Sequence, residues 1–588
     1  MISSPDTRLL RWVAALALFA LAGCEEPAPS PAPLESAETA LARGDGLGAE
    51  IALRRLLDDG APRERLAAYF GEAELAQGNL AEARQWLGPA EFAPGSRARG
   101  LRMLGILEMR SGNLAAAGAA LDRSLAVDAL DPELWVAIGR LRYLGGEQAQ
   151  AVEASRRAVT LGPHNPEALR FRGQLVRDAH GMTAALPWFE AAIEADPDNI
   201  DLLADYAATL GEAGRARDML AAVRRMAEIN PGDPRLFVYQ AALAARAGDF
   251  DLARGLLSRA GDAERMDAAS ALLAGVIDLQ EGNPATAAQA FDRLLRSQPD
   301  NRRVRQLLAR ALHLAGNDRE LVYRFAAEAA APGAEPYLAQ IVGRAYEALG
   351  ERDKAAPLLE KAAGADRSGL TALAAAIPLE VAQARGGDDG RDAVSLVRGL
   401  IAAGRTDAAI RAAEVFRGRF RGSADALGLA GDAYLAADDP ERALDRYRAA
   451  AEIRRSWPLA RRMLAAHVAR GDRAGAWSLL SDHLAGEPAN REVAAMFALL
   501  AFDARRSEQG EAALAHALAG GGSRDPQLLA LAAQIALQDG DAAAARDAAE
   551  RAYALQRRNP LARRAIVRAL DATGEEETAE VLARDIAR

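Results

Sequence analysis

Residue types that mark a disulfide-stabilised or aromatic-rich core are scarce in this sequence. One cysteine in 588 residues cannot form an internal disulfide. Aromatic residues make up 5% of the chain although 50% of it is hydrophobic, and alanine and leucine dominate the apolar residues. That composition favours helices over strands. The length exceeds what one hydrophobic core organises, which indicates several domains or a repeat array.

Sequence motifs that carry chemistry are also missing. The six histidines lack the His-x₃-His and His-Glu-x-x-His spacings of zinc sites on helices. The chain contains neither a Gly-x-x-x-x-Gly-Lys-Ser/Thr phosphate loop nor a Gly-x-Ser-x-Gly nucleophile elbow. We therefore expect a protein that is not an enzyme and uses no metal or cofactor. The formal net charge of −10 argues against nucleic acid as a partner.

The first 23 residues have the pattern of a secretory signal peptide. Arg8 and Arg11 precede an apolar run from Trp12 to Ala22. Eleven helical residues at about 1.5 Å each are too short for a hydrocarbon core of about 30 Å. The run therefore predicts export rather than a membrane-spanning helix.

The apolar run ends in Leu21-Ala22-Gly23-Cys24, which resembles the lipobox of bacterial lipoproteins. The resemblance implies cleavage before Cys24, followed by acyl chains, palmitate among them, that anchor this cysteine in a membrane. The alternative is an ordinary secretory signal with an incidental cysteine. Glu25 departs from the aspartate that retains such proteins at the inner membrane. We therefore expect the outer membrane, facing the periplasm, with the inner membrane left open. Prolines at alternate positions make residues 24–35 an extended linker.

The body of the chain repeats with a period of 34 residues. Repeats start at 64, 98, 132, 166, 200, 234, 268, 302 and 336, and after a break in phase at 390, 424, 458, 492, 526 and 560. A degenerate sixteenth repeat is possible over 30–63. The pattern predicts an N-terminal array over 36–369, an inserted helix that forms a joint over 370–389, and a C-terminal array over 390–588.

Four positions of the repeat have a physical explanation. Position 15 is usually glycine, which ends a helix at positive φ. Position 8 is often glycine, where we expect a neighbouring helix to pack closely. Position 20 is usually alanine, expected opposite that small site, and position 24 is often large. Two repeats depart from this pattern, with Trp477 in the repeat at 458, and Leu499, Arg506 and Glu511 in the repeat at 492. We expect these two repeats to pack irregularly.

This pattern resembles the tetratricopeptide repeat family, most clearly over 132–165. The family positions there hold Trp135, Gly139, Gly146, Ala151, Ala158 and Pro163. The resemblance implies an all-α fold, in which helix-turn-helix repeats stack into a right-handed superhelix. It also implies a concave groove, lined mainly by first helices, that binds an extended peptide or a partner protein. Each repeat contacts only its neighbours in such an array.

The first helices carry arginine at positions 2, 5, 9 and 12, which should face this groove. These residues are Arg99, Arg102, Arg140, Arg170, Arg177, Arg303, Arg310, Arg344, Arg391 and Arg398. One interpretation is a basic groove for an acidic peptide or an anionic polymer, because guanidinium groups match carboxylates. The other is that these arginines only keep an arginine-rich protein soluble.

The favoured function is a lipid-anchored periplasmic scaffold that assembles an envelope machine through protein–protein interactions. The architecture is similar to tetratricopeptide lipoproteins of exopolysaccharide export systems, including the PEP-CTERM-associated type. The alternative is an assembly chaperone that holds pilus or outer-membrane proteins as clients. An enzyme or enzyme subunit is the least favoured class.

Overall fold

The computed structural model describes residues 33–261, 267–299, 301–331, 334–364, 377–387, 390–503, 507–520 and 522–587. These residues form 33 α-helices and two short 3₁₀ turns, and they include no β-strand. The predicted signal peptide, Cys24 and residues 24–32 of the linker lie outside the described residues. No described helix is long and apolar enough to cross a membrane.

The chain divides into two compact units, Met1–Leu130 and Asp131–Arg588. The described helices of the first unit are α1 (Pro33–Ala42), α2 (Gly46–Asp58), α3 (Arg63–Gln77), α4 (Leu80–Leu87), α5 (Arg97–Arg110) and α6 (Leu114–Val127). The helices α1 and α2 pack against each other in the region of the possible sixteenth repeat.

The second unit begins with α7 (Pro132–Leu144), α8 (Gln148–Leu161), α9 (Pro166–His180), α10 (Met182–Ala195), α11 (Ile200–Glu212), α12 (Ala216–Ile229), α13 (Pro234–Ala247), α14 (Phe250–Ala260), α15 (Ala268–Gln280), α16 (Pro284–Ser297), α17 (Arg302–Leu314), α18 (Asp318–Ala330), α19 (Pro336–Ala348) and α20 (Arg352–Gly364). The predicted joint contains α21 (Leu379–Arg385).

The rest of the second unit consists of α22 (Gly390–Ala402), α23 (Thr406–Arg419), α24 (Ala424–Ala436), α25 (Pro440–Ile453), α26 (Trp457–Ala469), α27 (Arg473–Gly486), α28 (Arg491–Asp503), α29 (Ser507–Ala519), α30 (Pro526–Gln538), α31 (Ala542–Leu555), α32 (Pro560–Ala572) and α33 (Glu576–Ala587). Consecutive helices pack as hairpins, and each hairpin packs on the next. The expected all-α helix-turn-helix solenoid is therefore confirmed.

The hairpin turns and the hairpin cores follow from the repeat positions. The glycines predicted at position 15, from Gly78 to Gly574, have φ between 68° and 84°. This left-handed conformation is strained for a residue with a Cβ atom. The position 20 alanines, from Ala83 to Ala579, are at most 1% exposed. Two helices can approach closely there because alanine adds only a methyl group.

The partner of the small residue at position 8 differs from the prediction. A Cβ atom on Gly105 would lie 2.6 Å from Leu121, and one on Gly275 would lie 2.6 Å from Phe291. Leu121 and Phe291 occupy position 24 of the same repeat, not position 20. The large side chain of the second helix therefore fills the notch that glycine leaves in the first helix. Position 20 lies one helical turn earlier and is too short to reach the notch.

The two repeats expected to be irregular are regular in the structure but shifted by one residue. Trp457 begins α26, and Gly471 takes the left-handed turn with φ of 69°. In this register Ala476, which is 1% exposed, occupies position 20 instead of Trp477. In the next repeat, which starts at 491, Ala498 and Gly510 are buried at positions 8 and 20. The expectation of irregular packing is therefore wrong, because a strict period misses a one-residue shorter connection.

Candidate binding groove

Arginines on the first helices of the second unit join successive repeats along one face. Arg140 of α7 bonds to Glu167 of α9 at 2.8 Å. Arg170 of α9 bonds to Asp205 of α11 at 2.7 Å through Nε, and to Glu167 at 3.1 Å through a terminal nitrogen. Glu167 thus bridges two predicted groove arginines, Arg140 and Arg170. These side chains form cross-links between neighbouring first helices.

The same face carries uncharged links. Arg177 donates to the Thr209 hydroxyl at 3.3 Å, and the Tyr143 hydroxyl donates to Asp178 at 2.7 Å. These partners lie 32 and 35 residues ahead, close to one period. Neighbouring first helices are therefore joined by polar contacts as well as by the apolar packing beneath them.

The first unit uses its groove arginines in a similar way. Arg99 of α5 bonds to Glu72 of α3 at 2.5 Å, and its guanidinium lies 4.7 Å from the ring centre of Tyr69. This contact combines an ion pair with a cation–π interaction. Arg102 is buried with 6% exposure, so its charge is turned away from solvent.

Arg344 and Arg398 are engaged inside the second unit. Arg344 of α19 pairs with Glu347 at 2.8 Å and donates to the Leu555 carbonyl of α31 at 3.1 Å. Arg398 is half-buried, and its Nε has no hydrogen-bond partner among the described residues. Burial lowers the pKa of Arg398, Asp432 opposes this change, and the guanidinium groups of Arg462 and Arg302 add to it.

Three predicted groove arginines keep an available charge. Arg303 and Arg391 are exposed and Arg310 is half-exposed. No hydrogen bond or ion pair joins their side chains to other described residues. The three residues lie on α17 and α22, which are both first helices. The basic-groove hypothesis therefore depends on these residues, because carboxylates of the same chain neutralise Arg99, Arg140, Arg170 and Arg344.

A buried polar network in α24–α26 was missed from the sequence. Asp432 is 2% exposed and accepts from Arg462 at 2.8 and 3.0 Å and from the Tyr447 hydroxyl at 2.8 Å. An aspartate at position 9, an arginine 30 residues later and a tyrosine at position 24 were the available signal. Because Asp432 is satisfied by groups of its own repeat and the next, the network joins two repeats.

Histidine side chains serve local structure where their contacts are described. His313 Nδ1 lies 2.6 Å from Asp318, and His467 Nδ1 lies 2.9 Å from Asp472. Each pair joins the end of a first helix to the start of the second. Within the part of the chain that the structure describes, no group of three or more histidine, cysteine or acidic residues could hold a metal ion. A surface depression of about 260 Å³ lies at the single turn Gly350–Lys354.

The stacked hairpins, left-handed turns and polar links between first helices define a helical-repeat protein of the tetratricopeptide kind. The family model described as tetratricopeptide repeat matches residues 102–166, 149–200 and 272–334. The family prediction is supported over these segments. No curated protein matches the chain.

Solved structures with similar folds share little sequence with the chain. The type IV pilus biogenesis factor PilW is 19% identical, with 36% of this chain and 98% of that chain covered and a TM-score of 0.32. The corresponding values for pilF of Pseudomonas aeruginosa are 17%, 37%, 99% and 0.32. For the APC/C hetero-tetramer Cut9–Hcn1 they are 13%, 95%, 99% and 0.26. Similarities this low carry no inference about function.

Proposed function

We propose that this chain is a non-enzymatic scaffold that binds other proteins through the first-helix face of its repeats. Neighbouring first helices are cross-linked by Arg140–Glu167 and Arg170–Asp205, which keeps this face ordered. An ordered surface loses less conformational entropy when a partner binds. The proposal needs no cavity that encloses a substrate, and tetratricopeptide repeats suit extended partners.

The exposed charges of Arg303, Arg310 and Arg391 carry the proposal that the partner presents carboxylates. These guanidinium groups have no carboxylate partner among the described residues, unlike Arg140 and Arg170. A charge-assisted hydrogen bond contributes about 1.5–3 kcal/mol. An acidic segment of a partner protein that engages even two of the three arginines would therefore gain at least tenfold in affinity.

The proposed setting is the periplasmic side of the outer membrane, with lipid on Cys24 as the anchor. The support is the order of residues 8–24 in the sequence: basic residues, a short apolar run, and the single cysteine. The scaffold would assemble an envelope machine, and exopolysaccharide export is the proposed pathway. Mass spectrometry of the mature N-terminus tests the anchor, and a mature protein without acyl chains on Cys24 would contradict it.

Charge reversal at the three available arginines tests the binding face. The variant Arg303→Glu, Arg310→Glu, Arg391→Glu breaks no described ion pair, whereas reversal at Arg140 or Arg170 would also disrupt the links between repeats. The matched control is Arg217→Glu, Arg319→Glu, Arg411→Glu on second helices, because these residues are also exposed and without a described partner. Partners are crosslinked in intact cells and identified by mass spectrometry.

We expect the groove variant to lose at least tenfold of the captured partner, and the control to capture as much as the wild type. Equal capture by all three proteins would contradict the proposed face. Stable recovery of the same envelope components supports the scaffold. Recovery of many unfolded pilus or outer-membrane proteins would favour the chaperone alternative.

A further inference from the structure

Residues far apart in the sequence meet within the second unit, where one turn of the solenoid contacts the next. The Ala149 amide of α8 donates to the Gly422 carbonyl at 3.1 Å. The Ala424 amide of α24 donates to the Gln148 side-chain carbonyl at 2.9 Å, across 276 residues. Both amides lie in the first turn of a helix, where N–H groups have no acceptor within the helix. The two helix starts therefore cap each other.

Two further contacts join the same parts of the chain. At one, Gly181 and Gly486 approach so closely that a Cβ atom on Gly486 would lie 2.8 Å from the His180 carbonyl. At the other, Gln340 donates to the Leu555 carbonyl at 3.0 Å, and Gln556 donates to Gln340 at 2.7 Å. We call these three contacts, together with Arg344–Leu555, the latch.

The latch is polar, whereas the contacts between neighbouring repeats are apolar. The described apolar clusters of this unit consist of consecutive repeats, such as Leu279–Leu358 and Ala424–Leu528. No described cluster contains residues from both sides of the latch. Polar contacts of limited area permit relative motion of the parts that they join. The latch can therefore open while the repeats stay folded.

The latch also occupies part of the proposed binding face. Gln340 and Arg344 lie at positions 5 and 9 of the first helix α19, which are groove positions. Their polar groups contact Leu555 and Gln556 at the end of α31. A partner that used this section of the face would have to displace that end.

We propose that the latch is a reversible, autoinhibitory contact, and that its opening exposes the first-helix face around α19 to a partner protein. The claim about access rests on the proposed function, but the opening itself does not. Opening is measured on the full chain without a partner, so a failed latch and a failed binding face give different results.

Gly486→Ala tests the latch as a wedge. Gly486 is the last residue of α27, and alanine is favoured over glycine in a helix, so the change disturbs only the contact with His180. The matched control is Gly418→Ala near the end of α23, where an added Cβ atom meets nothing within 4 Å. Gln340→Ala removes hydrogen bonds of the third contact without adding a clash.

The measurements are small-angle X-ray scattering and amide hydrogen exchange. In Gly486→Ala we expect a larger radius of gyration, and at least fivefold faster exchange at the Ala149 and Ala424 amides, with unchanged exchange within α15–α18. Gln340→Ala should change both quantities in the same direction by less, and Gly418→Ala should match the wild type. Wild-type scattering and exchange in both latch variants would overturn the proposal.

Discussion

The repeats at 268 and at 424 share a glycine at position 8 and an aromatic ring at position 24, but they bury different chemistry. Phe291 fills the notch at Gly275 within an entirely apolar cluster. Tyr447 fills the notch at Gly431 and places its hydroxyl 2.8 Å from the buried Asp432. The first repeat is held mainly by packing. In the second, the same packing comes with a charge that needs a partner.

The polar network has a cost that the apolar repeat avoids. Taking the Asp432 carboxylate out of water is unfavourable, and Arg462 and Tyr447 compensate only while their geometry is kept. The gain is a link between repeats, since Arg462 belongs to the next first helix. The two repeats therefore differ in how failure spreads: a cavity weakens one cluster, whereas loss of a charge partner weakens two repeats.

Removal of the ring on the apolar side should have the largest effect. Phe291 is fully buried, so Phe291→Ala is expected to destabilise its repeat by about 3–5 kcal/mol through lost burial and a cavity. Hydrogen exchange of α15–α18 measures this locally, because repeat arrays need not unfold in one step. The control Tyr323→Ala, at a ring that is 90% exposed, should stay within about 0.5 kcal/mol. Equal effects of the two changes would contradict the packing role of Phe291.

Loss of the charge on the polar side should have a somewhat smaller effect. Asp432→Ala leaves Arg462 without its carboxylate, a change that costs about 3–5 kcal/mol for a fully buried pair. Because the Arg462 side chain is 19% exposed and can reach water, we expect the lower end of this range. Exchange should accelerate in both α24–α25 and α26–α27. Tyr447→Phe keeps the ring and the Arg462 pair, and should cost only about 0.5–1.5 kcal/mol. An effect confined to α24–α25 would sink the idea of a link between repeats.

The repeat positions explain why much of the fold could be predicted. Gly78 and Ala83 each have one conformational or steric role that recurs every 34 residues, so the period places hairpin turns and close helix contacts. The shift near residue 457 could not be placed in the same way. Asp438 takes the left-handed turn of its repeat with φ of 58°, so the glycine signal is lost just before the connection shortens.

The binding face was less predictable than the fold. Spacings of 27 and 35 residues between Arg140 and Glu167, and between Arg170 and Asp205, could have indicated that these arginines are paired. The latch could not be predicted in this way. Contacts across 276 residues depend on small rotations that accumulate over many repeats, and no local pattern at Gln148 or Ala424 reports that sum.

A third buried charge sharpens the comparison, because it lies between distant repeats rather than inside one. His180 lines the latch with Arg455, His483 and Glu487. Partial burial lowers the pKa of His180, and Arg455, Arg172 and Arg156 lower it further. Although burial raises the pKa of the facing Glu487, hydrogen bonds from His483 and Asn490 hold it below its ordinary value. His180 is therefore the group near the latch that resists protonation in the closed state.

The sign of the pH effect follows from that direction. The neutral form of His180 favours the closed latch, so its contribution is complete above the ordinary pKa of about 6.5 and is lost as pH falls through the lowered value. Because His180 is partly exposed, solvent screens the repulsion, and we expect only about two- to threefold more open latch at pH 5.5 than at pH 8. Exchange of the Ala149 amide, corrected for its intrinsic pH dependence, measures this change. His180→Asn should abolish the pH dependence, whereas His164→Asn, at an exposed histidine, should preserve it. An unchanged pH dependence in His180→Asn would assign the titration to another group. A latch that tightens on acidification would contradict the repulsion from Arg455.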